Sequence, residues 1–121
     1  MPKKSQAIQK KADTLFSKIV RARDGACRRC GKQETLQCHH LISRTYRKVR
    51  FDERNGVAVC VGCHLFLTHR PLDNEDLAVK LLGESGWAEL KTIARNVDYR
   101  VDLKEVFASL QARWNEIEQA A

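Results

Sequence analysis

Five cysteines and four histidines carry most of the distinctive chemistry that this 121-residue chain can offer. Four of the cysteines stand as two C-x-x-C pairs, Cys27 with Cys30 and Cys60 with Cys63. A two-residue spacing lets both sulfurs of a pair turn toward one point about 2.3 Å from a metal, and two such knuckles supply the four thiolates of a tetrahedral structural zinc site. Gly31 follows the first pair and Gly62 lies inside the second, where tight turns are expected. Two disulfides are the other use for paired cysteines. The odd count disfavours them, and so does the N-terminus: the basic start Met1-Pro2-Lys3-Lys4-Ser5 is followed by no apolar core or small-residue cleavage site, so a cytoplasmic, reducing setting is expected. Cys38 is left over and reads as a small buried hydrophobe, with a spare ligand as the alternative.

Zinc takes four ligands and the knuckles supply four, so His39, His40 and His64 need another explanation. Two are adjacent at the end of a strand candidate, and the third directly follows a cysteine of the second knuckle. If both knuckles share one metal, the strand and helix flanking them are pinned together. Strand alternation points His39 and His40 to opposite faces, but a bend at the strand end brings both into one cleft.

The elements that must position these side chains follow from periodicity and turn signals. Residues 6–23 read as an amphipathic helix with Ile8, Ala12, Leu15, Phe16 and Ile19 on one face, stopped by Asp24-Gly25. Residues 35–40 read as a short strand, 43–54 as a polar basic loop, Asn55-Gly56 as a tight turn, and 57–59 as a second strand. A helix is expected from Cys63 to about Thr68. Asp73-Asn74-Glu75-Asp76 is expected to cap a short helix ending near Gly83, and Ser85 another that runs toward Asn96. Asp102 caps a last helix, in which Leu103, Val106, Phe107, Leu110, Trp114 and Ile117 form one apolar stripe. The stripe is expected to pack on the N-terminal helix, which leaves a monomer; a dimer through the stripe is the alternative.

The length fits one domain: a helix over 1–25, a knuckle-bearing core over 26–70 and a helical extension over 71–121. Hydrophobic residues make up 43% and charged residues 31%, a globular balance, and no run approaches the roughly 18 apolar residues of a membrane span, so no membrane partner is expected. The net charge of +7 is unevenly spread. Residues 1–70 hold 16 Lys and Arg against 5 Asp and Glu, and residues 71–121 hold 6 against 10. A basic half of this kind suits a polyanion, because each neutralised phosphate releases counterions.

The order Cys27-x₂-Cys30, His39-His40, Asn55, Cys60-x₂-Cys63-His64 resembles that of the HNH endonucleases, the ββα-metal or His-Me finger nucleases. The likeness spans residues 27–68, about a third of the chain. It implies an α+β fold whose ββα-metal core, a hairpin followed by a helix around one divalent ion, is stapled by the Cys₄ zinc site and flanked by an N-terminal helix and C-terminal helices. It also implies roles: His40 as the general base that activates water, His39 and His64 as ligands of the catalytic ion, and Asn55 as the residue that braces the loop and orients the base. The chemistry is coherent. Attack on a phosphodiester develops negative charge that one divalent cation can neutralise, and a neutral imidazole can accept the proton of water at physiological pH. Imidazole ligands favour Mn²⁺, Ni²⁺ or Co²⁺ over Mg²⁺ more than carboxylates do, so Mn²⁺ is expected to serve at least as well as Mg²⁺, and excess Zn²⁺ to inhibit.

Two positions depart from the family pattern. Thr68 stands where some relatives place a further histidine, and His69, about 140° round the helix from His64, is a poor ligand. His39 replaces the aspartate of many relatives, which removes a negative charge from the site. The basic loop lies between the base and Asn55, and Arg44, Arg47 and Arg54 are the expected contacts to DNA phosphates. The leading expectation is therefore a metal-dependent DNA endonuclease leaving 5′-phosphate and 3′-hydroxyl ends. A non-catalytic zinc-dependent nucleic-acid-binding module is the alternative; an exported nuclease toxin is weaker still.

Overall fold

The computed structural model describes residues 3–98 and 100–121; Met1 and Pro2, which open the basic N-terminal stretch, lie outside them. Helix α1 (Lys3–Asp24) buries Ala12, Phe16 and Ile19 of the predicted face and Val20 beside them, while Ile8 and Leu15 are half-buried. Strand β1 (Leu36–His40) starts directly after Thr35, whose φ of +57° prevents the strand from beginning earlier. It pairs antiparallel with β2 (Gly56–Cys60), in register from Leu36 opposite Cys60 to His40 opposite Gly56. Helix α2 (Val61–Thr68) follows without a loop because Cys60 is its N-cap, the sulfur accepting the Cys63 N–H. The second knuckle is thus the strand-to-helix junction, and Gly62 belongs to the first turn of α2 rather than to a separate turn.

Asn55-Gly56 is not the hairpin turn that its dipeptide predicts. Asn55 ends a single 3₁₀ turn (Glu53–Asn55), and Gly56 opens β2 with extended backbone. Glycine is required there by proximity: a Cβ on Gly56 would lie 2.6 Å from Val20 Cγ2 and 2.9 Å from the Phe16 ring, so only a bare backbone lets the strand lie against α1.

Helix α3 (Pro71–Ala94) starts two residues before the predicted acidic cap, with Pro71 in its first turn, where a missing N–H costs nothing. It is interrupted at Gly83 (φ 76°, ψ 166°), a conformation open to glycine alone, so the two predicted helices are joined end to end there. Helix α4 (Leu103–Ala120) has the predicted cap: Asp102 accepts from the N–H groups of Lys104 and Glu105. Its Val106, Phe107, Leu110, Trp114 and Ile117 pack on α1 as expected.

The two-stranded sheet lies between two apolar clusters. Val57 and Val59 of β2 face Leu67 of α2 and Leu77, Trp87 and Leu90 of α3, whereas Ala58 between them faces α1 and Leu110 of α4. Alternation along one five-residue strand therefore serves both cores. The architecture is α+β with a small sheet and a four-cysteine cluster at its end. Among the described residues no helix is long and apolar enough to cross a membrane.

Candidate metal centre and histidine cleft

The sulfurs of Cys27, Cys30, Cys60 and Cys63 all lie within 4.8 Å of one another, and this is the one set of three or more His, Cys, Asp or Glu side chains among the described residues close enough to share an ion. A tetrahedron with metal–sulfur bonds of about 2.3 Å has edges of roughly 3.8 Å; Cys30 and Cys60 stand 3.7 Å apart. Each knuckle folds on its own first sulfur, with Cys30 N–H donating to Cys27 Sγ (3.4 Å) and Cys63 N–H to Cys60 Sγ (3.5 Å). The Arg28 N–H donates to the Ala58 carbonyl (2.9 Å) and stitches the first knuckle to β2. Four thiolates at this distance repel one another. Burial works against charge at Cys27, but backbone N–H groups of the knuckles outweigh it and bring that thiol down to about 6. Burial first, and its three thiol neighbours after, push Cys63 up to about 12, although Arg29 sits 3.4 Å from its sulfur. A dication removes this conflict, and the donor set and geometry fit zinc. Cys38 stands apart, against the α1 cluster, its thiol pushed up to about 12 by burial.

Beside the cluster, His39, His40 and His64 line one cleft of about 700 Å³. The two adjacent histidines do point to opposite faces of β1. His39 meets His64 of α2, ring centres 5.3 Å apart and nearly perpendicular. His40 stacks on Phe16 of α1 at 5.4 Å. The cleft lies at the end of the strand, open to both faces, so alternation does not separate them. Burial pushes all three imidazoles below the ordinary histidine value, leaving them neutral at pH 7.

Each ring has one nitrogen already occupied. His39 Nε2 is 2.6 Å from Asn74 Oδ1, His64 Nδ1 is 2.6 Å from Gln37 Oε1, and His40 Nε2 is 3.0 Å from the Arg50 carbonyl. A carbonyl oxygen only accepts, so Nε2 of His40 carries the proton and Nδ1 keeps the lone pair. The backbone of Arg50 is held in turn by its own side chain, which forms two bonds to Asp13 of α1, 2.9 and 2.6 Å.

Asn55 is fully buried and ties the loop between the strands to itself. Its Oδ1 accepts from Ile42 N–H (2.7 Å), and its Nδ2 donates to the carbonyls of Ile42 (2.9 Å) and Val49 (3.1 Å). The loop arginines diverge. Arg44 lines the histidine cleft. Arg47 lines a different cleft, together with Lys48, Arg100 and residues of α4. Arg54 is exposed and bonded to Asp52 and Glu89, outside the histidine cleft. Successive turns in the loop send the three outward in different directions, and of them Arg44 alone lies beside the histidines. His69, the C-cap of α2, is also outside the cleft, whereas Thr68 lines it.

Gln37, Asn74 and Asp13 were not singled out by the sequence. Gln37 had a signal, since it lies two residues before His39 and so on the same strand face. Asp13, the one acid between Lys3 and Arg23, had a weak one. Asn74 had none, for it reads only as part of a polar helix start. Comparison with family models, with curated proteins and with solved structures gives no match.

Proposed function

We propose that this chain is a divalent-metal-dependent DNA endonuclease of the HNH type, its ββα core formed by β1, β2 and α2 and stapled by a structural zinc ion on Cys27, Cys30, Cys60 and Cys63. The observation that carries the reading is the convergence of His39, His40 and His64 on one open cleft beside the thiolate cluster. Two imidazoles sharing a cation through bonds of about 2.1 Å bring their ring centres to roughly 5 Å; the 5.3 Å between His39 and His64 fits. A divalent ion held there, Mn²⁺ or Mg²⁺ or the softer Ni²⁺ or Co²⁺, would supply positive charge opposite the pentacoordinate phosphorus and the departing 3′ oxygen.

The chain's own residues do the rest. His40 Nδ1 takes a proton from the attacking water as the new P–O bond forms. The P–O3′ bond breaks, the 3′ oxygen is protonated from solvent, and the products are a 5′-phosphate and a 3′-hydroxyl. The Arg50 carbonyl fixes the tautomer that leaves Nδ1 free, and the Phe16 ring sets the plane of the imidazole. Asn55 holds the loop that carries Arg50. Arg44 at the cleft wall neutralises a phosphate, and the basic excess of residues 1–70 attracts the polyanion.

Supercoiled plasmid incubated with the protein and Mn²⁺ is expected to be nicked or linearised. His40→Ala should lower the rate at least 100-fold, as should EDTA, while zinc content and fold persist in the variant. Plasmid left intact with Mn²⁺, Mg²⁺ and Ni²⁺ across salt and sequence would sink the reading. Salt-dependent DNA binding unchanged in His40→Ala, without cleavage, would favour the binding-module alternative.

A further inference from the structure

We propose that Asn74, at the start of α3, is the positioning residue for the catalytic cation: its amide holds His39 in the one tautomer that presents Nδ1 to the ion. The proposal rests on the nuclease reading of the cleft. Asn74 lies outside the segment that carries the motif, yet it lines the histidine cleft, and the two ends of its side chain reach His39 of β1 and Leu41 just after it. Its Nδ2 donates to the Leu41 carbonyl at 2.9 Å, and that bond decides the orientation of the amide. The atom 2.6 Å from His39 Nε2 is therefore Oδ1, an acceptor only. His39 Nε2 must carry the proton, and Nδ1 is left as the free donor of an imidazole that is 6% exposed.

His64 is held in the complementary way. Its Nδ1 meets Gln37 Oε1 at 2.6 Å, which leaves Nε2 for an ion. Each imidazole expected to bind the cation thus has its other nitrogen on a side-chain amide, the arrangement by which outer partners orient ligating histidines and fix their tautomers. A neutral amide raises imidazole basicity less than a carboxylate would. With no carboxylate among the residues expected to bind the ion, this makes for a cation held loosely enough to exchange.

Two substitutions separate orientation of His39 from simple support of the loop. Asn74→Ala loses both bonds. Asn74→Asp keeps an acceptor for His39 Nε2–H and loses the donor to Leu41. The test uses zinc-loaded full-length protein and three readouts: Mn²⁺ binding followed by paramagnetic resonance, plasmid nicking as a function of Mn²⁺, and the His39 tautomer from long-range ¹H–¹⁵N correlation before Mn²⁺ is added. Asn74→Ala is expected to weaken Mn²⁺ binding about 10- to 100-fold and to shift the Mn²⁺ dependence of nicking equally. It should also turn His39 from a pure Nε2–H form into a mixture. Asn74→Asp should restore the tautomer and bind Mn²⁺ at least as tightly as wild type. Equal losses in the two variants would make Asn74 a loop support and overturn the proposal. So would an unchanged Asn74→Ala beside an active wild type, with the nuclease reading left standing. Wild type that neither binds Mn²⁺ at these histidines nor cuts DNA would overturn both.

Discussion

Asn55 shows how much one buried side chain can carry without touching the cleft. Its amide makes three hydrogen bonds, to both ends of the segment between Ile42 and Val49, and the side chain itself is fully buried. Asn55→Ala is expected to destabilise the protein by about 2–4 kcal/mol, since a buried N–H and two carbonyls lose their partner at about 1 kcal/mol or more each. Urea denaturation would measure this, and a change below about 1 kcal/mol would show that the loop is held elsewhere. Asn55→Asp should not rescue, because a carboxylate cannot donate to the carbonyls of Ile42 and Val49. At this scale the sequence was legible where chemistry and spacing coincide, as in the cysteine pairs, the three histidines and Asn55. It was not legible where a partner arrives from a distant helix. Asn74 and Asp13 meet their targets across 35 and 37 positions, and no local pattern marks such bonds. The placement of Arg47 and Arg54 away from the histidine cleft was not legible for a related reason: charge type is visible in a sequence, but the direction that an irregular loop gives each side chain is not.

Between elements, the junction of α1 with β2 rests on Asp24. Its carboxylate accepts from Ala58 N–H of β2 (2.9 Å), from two nitrogens of Arg23 (2.9 and 3.0 Å) and from Arg28 of the first knuckle (3.3 Å). Burial alone would raise this carboxyl; the bonds from Arg23 and Ala58 and the charges of Arg23 and Arg28 outweigh it and hold it below the ordinary carboxylate range. The folded form therefore binds the proton less readily than the unfolded chain does. The stability this contributes is complete above the unfolded value of about 3.9, and is lost as pH falls through the depressed folded value. Asp24→Asn is expected to cost about 2 kcal/mol at pH 7 and progressively less below pH 4. Parallel denaturation curves of wild type and variant from pH 7 to 2.5 would test it, and a pH-independent difference would rule the charge out. The sequence placed a helix stop at Asp24-Gly25 but gave no hint of this bridge. Asn55-Gly56 was misread because the dipeptide fits a hairpin turn, whereas the constraint on Gly56 is its contact with Phe16 and Val20, which only the tertiary fold reveals.

For the whole molecule, the question is whether the four-cysteine cluster, once it holds the proposed zinc, supports one core or both. Cys27, Cys60 and Cys63 belong to the cluster around Val57, Val59 and Trp87, while α1 and α4 form the other around Phe16 and Leu110. The two share β2, and a two-stranded sheet has little stability of its own. Without the proposed zinc, four crowded thiols would stand at the end of that sheet, and α1 and α4 would lose the surface on which Ala58 seats them. Both cores should therefore fail in one transition. Each contains a tryptophan: Trp87 is buried on the side of the four cysteines, and Trp114 packs on α1 with Lys18 Nζ 4.2 Å from its ring centre. Trp87→Phe loses no hydrogen bond, because the Trp87 Nε1 has no partner among the described residues, so the two single-tryptophan variants are usable reporters. With a strong zinc chelator, Trp87 in Trp114→Phe and Trp114 in Trp87→Phe are expected to shift to the red at the same chelator concentration and the same rate, and helical circular dichroism should fall with them. Re-addition of Zn²⁺ should restore all three signals, whereas Mn²⁺ should not, since thiolates prefer the softer ion. If the Trp114 signal persisted after that of Trp87 was lost, α1 and α4 would stand without the metal, and zinc would be a local clamp on the knuckles alone.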